Sequence, residues 1–67
     1  MAIVVRLTTG TVKLKTDAEL EQVGKNLSTK VQAGGLIDLL DDQDTHHFVN
    51  AAAIVEVFDQ GQSAYER

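Results

Sequence analysis

The residues best suited to chemistry crowd into one stretch, Asp41-Asp42-Gln43-Asp44-Thr45-His46-His47. Carboxylates and imidazoles together can ligate a divalent cation, which makes Asp42, Asp44 and His46 the candidate metal ligands. The spacing is not that of a calcium loop. An EF-hand beginning at Asp42 needs Gly at its sixth position and Glu at its twelfth, where this chain has His47 and Ala53. His46 and His47, adjacent on a strand, point to opposite faces and do not make a joint site. The chain has no Cys, which excludes structural zinc of the usual Cys/His kind. The favoured reading is therefore a hairpin turn whose acids face water, with no metal and no cofactor.

The other polar constellation is basic. Residues 1–16 hold Arg6, Lys13 and Lys15 with no acid, whereas residues 36–59 hold Asp38, Asp41, Asp42, Asp44, Glu56 and Asp59 with no Lys or Arg. Binding to a phosphate backbone would have to use Arg6, Lys13 and Lys15 on one hairpin face. They would release few counterions, and the formal net charge of -4 repels nucleic acid. No aromatic residue is interleaved with them; Phe48 and Phe58 read as core, and Tyr65 is remote. The simpler reading places the basic hairpin beside the acidic one as ordinary cross-strand pairs. For catalysis the chain lacks a Cys nucleophile, a Ser in a nucleophile-elbow context and a glycine-rich phosphate loop. It is read as a non-enzyme.

At 67 residues the chain forms one domain at most, with a thin core. A composition 43% hydrophobic and 24% charged is that of a globular soluble domain, not a disordered segment. No window approaches the roughly 18 apolar residues of a membrane span, and the short apolar stretch Ala2-Ile3-Val4-Val5 is no signal-peptide core. A cytoplasmic location is expected, with no membrane partner.

The elements that must position these residues follow from periodicity. Residues 3–8 alternate as a strand, with Ile3, Val5 and Leu7 on one face and Val4, Arg6 and Thr8 on the other. Residues 11–15 form a second strand carrying Val12 and Leu14. A two-residue loop at Thr9-Gly10 would set Leu7 opposite Val12 and Val5 opposite Leu14. Thr16-Asp17-Ala18-Glu19 has the form of a capping box, so a helix is expected to start there. Leu20, Val23, Leu27 and Val31 make its apolar stripe, and Gly34-Gly35 stops it. Residues 36–40 are apolar at both parities, as in a strand covered on both faces. A turn over 41–44 leads to a strand over 45–49, a helical or 3₁₀ turn capped by Asn50, and a last strand over 54–58.

One helix covers one face of such a sheet. The apolar residues left on the other face, Val4, Leu39, Val55 and Val57, then need a partner, and the economical partner is a second copy. The alternative is a monomer whose sheet curls into a half-barrel around that face.

Two pieces, Val5-Arg6-Leu7-Thr8-Thr9-Gly10-Thr11-Val12-Lys13-Leu14 and Phe48-Val49-Asn50-Ala51-Ala52-Ala53-Ile54-Val55-Glu56-Val57, resemble parts of small bacterial and phage β-α-β accessory proteins. The shared features are a strand, turn-Gly, strand, helix unit and an apolar-Asn-three residues-Ile strand entry. The flagellar-operon family called FlbD is similar in both pieces but in the opposite order along the chain, a permuted arrangement. The resemblance implies a small accessory or regulatory protein acting through protein contacts, and it carries over no catalytic residue.

The expected fold is α+β: a small twisted, mainly antiparallel sheet in β-β-α-β-β-β order with one helix packed on one face. Residues 1–58 form the single domain and 59–67 a polar flexible tail. The expected function is that of a non-enzymatic accessory protein working as a homodimer or higher oligomer, through the helix-free face or a sheet edge, with another protein as a further partner. The alternative is a nucleic-acid-associated regulator that multiplies Arg6, Lys13 and Lys15 into an oligomeric stripe.

Overall fold

A computed structural model describes residues 2–60. The alternating start of the chain forms β1 (Ile3–Leu7), which turns through Thr8 and Thr9 into β2 (Gly10–Lys13). There follow α1 (Leu20–Ala33), β3 (Leu36–Leu40), β4 (His46–Asn50), a 3₁₀ turn (Ala51–Ala53) and β5 (Ile54–Asp59). The fold is α+β in the expected element order. Its strands divide between two antiparallel sheets, β2-β1-β5 and β3-β4.

Within β1, Val5 pairs with Val12 on one side and Val57 on the other, and it is fully buried. Ile3, Val5 and Val12 join Ile37 and Leu39 of the second sheet and Val23 and Leu27 of the helix in one core. The β1–β2 turn differs from expectation. Leu7 faces Gly10, so the loop is Thr8-Thr9, two residues of register away from the Thr9-Gly10 reading. A slip of two keeps every side chain on its face, which is why the apolar pattern could not distinguish the registers. Neither Thr8 nor Thr9 takes a positive φ, so the turn is not of the primed type and has no need of Gly within it.

Leu14 stays tied to β1, its N–H donating to the Ile3 carbonyl at 2.8 Å, and also bridges to Asp41. The Lys15 N–H donates to the Leu40 carbonyl and the Asp42 N–H to the Lys13 carbonyl, both at 3.0 Å, joining the two sheets edge to edge. This junction also displaces the start of the helix. With Lys15 held against β3, residues 16–19 become a connection and the N-cap is Glu19, whose side chain makes no capping bond. The Thr16 hydroxyl instead accepts from the Ala18 N–H at 3.0 Å, a local turn in place of the capping box. Of the expected α1 stripe, Val23 and Leu27 are buried and Leu20 is half-buried, whereas Val31 at its end is exposed. The helix ends at Gly34, whose N–H reaches the carbonyls of Lys30 and Val31.

Four residues expected on a helix-free face fare differently. Val4 (5% exposed) and Leu39 (3%) are buried within the single chain. Leu39 lies on the same parity as Ile37, which turns inward to the helix side, so the second sheet contributes to one common core. Val4 is enclosed between its cross-strand partners Phe58 and Lys13. Val57 is half-buried against the helix, near Gly24, and only Val55 stands exposed. The last strand runs through Asp59, one residue into the expected tail, and the Gln60 N–H bonds the Ala2 carbonyl. The rest of that tail, 61–67, lies outside the described residues.

Two glycines give predictions of opposite sign. A Cβ at Gly24 would meet Val57 at 3.9 Å, an ordinary contact, so Gly24→Ala should raise stability by about 0.5–1 kcal/mol through helix propensity. Gly34 holds φ 81° and ψ -175°, a region essentially confined to glycine, so Gly34→Ala should cost about 1–3 kcal/mol. Thermal unfolding of both variants checks the pair; each kcal/mol corresponds to roughly 4–8 °C in a domain of this size.

Candidate functional site

The polar cluster sits where β3 turns into β4, and Asp41 organises it. Its N–H donates to the Thr45 carbonyl and its Oδ1 accepts the N–H groups of Gln43 and Thr45, each at 2.9 Å. The three residues so enclosed end on Asp44 at φ 64°, a left-handed conformation that Asp tolerates and that closes three-residue hairpin loops. The second oxygen of Asp41, Oδ2, accepts from His47 Nε2 at 2.7 Å. The carboxyl is thereby held below the ordinary carboxylate range, first by the His47 hydrogen bond and then by the Thr45 and Gln43 amides.

The expected metal ligands are not brought together. His46 points away from His47, as strand alternation requires, and its Nδ1 lies 3.0 Å from Asp38 across the β3–β4 ladder. Asp44 forms an ion pair with Lys15. Asp42 contributes its backbone N–H to the sheet junction, and its side chain is not drawn to either neighbour. Among the described residues no group of three or more His, Cys, Asp or Glu converges on one point. The two imidazole–carboxylate contacts, which sequence reasoning did not pair, were encoded in the register: Asp38 lies one step diagonally from His46, and Asp41 from His47.

The basic residues are divided as well. Arg6 sits opposite Glu56 on β5 at 2.6 Å, and Lys15 is taken by Asp44. Lys13 is exposed on the face that holds Val4 and Arg6, with no ion pair among the described residues. The complementary signs of the two hairpins thus meet within one chain. Such exposed pairs are worth about 0–1 kcal/mol each.

The outward side of the β3–β4 ribbon is of a different character. Leu36, Asp38 and Leu40 share this face with His46, Phe48 and Asn50. Leu36 is 69% exposed and Phe48, its diagonal neighbour, 65%. Phe48 was expected in the core; the parity of β4 sends His47 and Val49 inward in its place. A second apolar location is the shallow groove between α1 and β5, where Val31 and Val55 face solvent.

Fold and surface together define a small α+β domain with a polar hairpin turn and an apolar ribbon face. Protein-family models, curated proteins and solved structures give no match to this chain. Among the described residues no helix is long and apolar enough to cross a membrane.

The Asp41 network has a pH signature. A carboxyl whose folded pKa is lowered contributes stability that is present above its unfolded pKa, near 3.8, and lost as pH falls through the folded value. Thermal melts of the wild type should therefore fall as pH drops below about 4. Asp41→Asn, which keeps an oxygen for the Gln43 and Thr45 amides, should start lower at pH 7 and show a shallower acid decline.

Proposed function

We propose that this is a small cytoplasmic, non-enzymatic accessory protein that works by assembling with itself, its contact surface being the outward side of the β3–β4 ribbon. The observation that carries this reading is the pair Leu36 and Phe48, two large apolar side chains neighbouring on one strand-built face and mostly exposed to water. A domain with so thin a core gains from burying them, since covering a large apolar side chain is worth about 1.5–3 kcal/mol. The reading moves the interface from Val4 and Leu39, which the chain buries itself, to Leu36 and Phe48.

It is supported by the distribution of charge. The basic hairpin spends Arg6 and Lys15 on Glu56 and Asp44, which weighs against the alternative of a phosphate-binding stripe. The histidines engage Asp38 and Asp41, contacts that account for them without a substrate. An accessory protein acting through protein contacts is also what the resemblance to FlbD-type proteins implies.

Solution mass by sedimentation at micromolar concentration tests the proposal. The wild type should sediment as two or more chains, and Leu36→Asp should shift it toward one while circular dichroism stays unchanged. A wild type that sediments as a single chain at every concentration would sink the reading.

A further inference from the structure

The β3–β4 register tells which backbone groups of β4 are used. The Ala51 N–H bonds the Gly35 carbonyl at 2.8 Å and the Asp41 N–H bonds the Thr45 carbonyl at 2.9 Å. Between these two bonded ends Ile37 faces Val49 and Leu39 faces His47. Antiparallel ladders alternate bonded and non-bonded pairs, so the bonded residues of β4 are His47 and Val49. The backbone N–H and C=O groups of His46 and Phe48, with the N–H of Asn50, therefore point away from β3. Among the described residues none of them meets a backbone or side-chain partner.

This edge also lacks the usual protection. Exposed edges are blunted by charges, prolines, bulges or a covering element. At the far edge of the other sheet, β5 carries Glu56 and Asp59, a register irregularity opposite Arg6 and Leu7, and the helix beside it. Strand β4 reads His46-His47-Phe48-Val49-Asn50, with no Asp, Glu, Lys, Arg or Pro. Its sequence is suited to pairing with itself. Centred on Phe48, an antiparallel match sets Phe48 against Phe48 of a second copy and His46 against Asn50 of that copy, with no like charges opposed. Only this centring aligns all three outward-pointing residues of both strands.

Resting on the proposed self-assembly, we infer that the occupant of this edge is β4 of a second copy, paired antiparallel about a two-fold axis at Phe48. Each Phe48 N–H donates to the other copy's Phe48 carbonyl, and each Asn50 N–H to the other's His46 carbonyl. The two ribbons become one four-stranded sheet, β3-β4-β4-β3. A two-fold contact of this kind is self-complementary and closes at the dimer. The outer face then carries both Phe48 rings side by side, flanked by Leu36 and by the Asp38–His46 contact of each chain.

Two substitutions in the full chain test this. Bonded antiparallel partners lie about 5.5 Å apart at Cα, within the span of a disulfide. Phe48→Cys, in a chain without other cysteine, should convert to a disulfide-linked dimer under mild oxidation, while Val55→Cys, exposed but off the edge, should not. Phe48→Pro removes an N–H that the β3–β4 ladder does not use, so it should shift the sedimenting mass from two chains to one. Should Phe48→Pro lose its circular dichroism signal, the cysteine pair decides. A dimer that leaves Phe48→Cys unlinked, or that survives a folded Phe48→Pro, overturns the edge pairing and leaves association through the ribbon face standing. A wild type of single-chain mass overturns both.

Discussion

Where Leu14 meets Asp41, a few backbone hydrogen bonds hold the two sheets of this protein together. The Lys15 N–H reaches the Leu40 carbonyl and the Asp42 N–H reaches the Lys13 carbonyl, so β2 continues into β3 although neither strand extends far. Because of this junction the inner residues of both sheets, Val5 and Val12 from one and Ile37 and Leu39 from the other, share a core with Val23 and Leu27 of the helix. Without it the ribbon would be a two-stranded hairpin, marginally stable by itself in water. The junction also places Lys15 beside Asp44 and dictates that the helix starts only at Leu20.

The same geometry explains how a short chain with no disulfide manages its surplus of apolar strand residues. Strands that are apolar at both parities suggest a sheet covered on both faces, and a flat sheet with one helix leaves one face bare. Here the second sheet is brought round to the helix side. The parity holding Ile37 and Leu39 is buried by the chain itself, and only the other parity, Leu36 with Phe48 across from Asp38, is left facing water. The two most exposed of the large apolar side chains, Leu36 and Phe48, thus fall on this ribbon, with Val31 and Val55 exposed at the groove between α1 and β5.

Electrostatics follow the topology. A basic amino-terminal hairpin and an acidic carboxy-terminal half are brought alongside each other, β1 against β5 and the β2 extension against the β3–β4 turn. Arg6 meets Glu56, Lys15 meets Asp44, and the histidines settle on Asp38 and Asp41. What resembled a metal-binding cluster in sequence is a turn whose principal carboxylate, Asp41, is occupied by two amides and an imidazole. Strand β4 is left as the stretch without formal charge, and its outer edge is where we propose association.

Much of the fold was legible in the residues. The α+β class, the element order, the stripe of Val23 and Leu27, the stop at Gly34-Gly35 and the Asn50 cap, which accepts from the Ala52 N–H at 2.9 Å, all depend on local periodicity or on chemistry within a few residues. Three features were not legible, each for a physical reason. The β1–β2 loop sits at Thr8-Thr9 because a slip of two preserves the faces, so hydrophobic pattern carries no information about it. The capping box fails because Lys15 is claimed by β3, a partner distant in sequence. Leu39 lies inside and Phe48 outside because which parity of β3, and with it of the paired β4, turns inward is decided by where the second sheet is anchored. The sequence by itself therefore determined the elements, their order and the sign of each charged segment. Only the tertiary structure decided which apolar residues remain exposed and which backbone edge remains unpaired, because both depend on contacts between residues far apart in the chain.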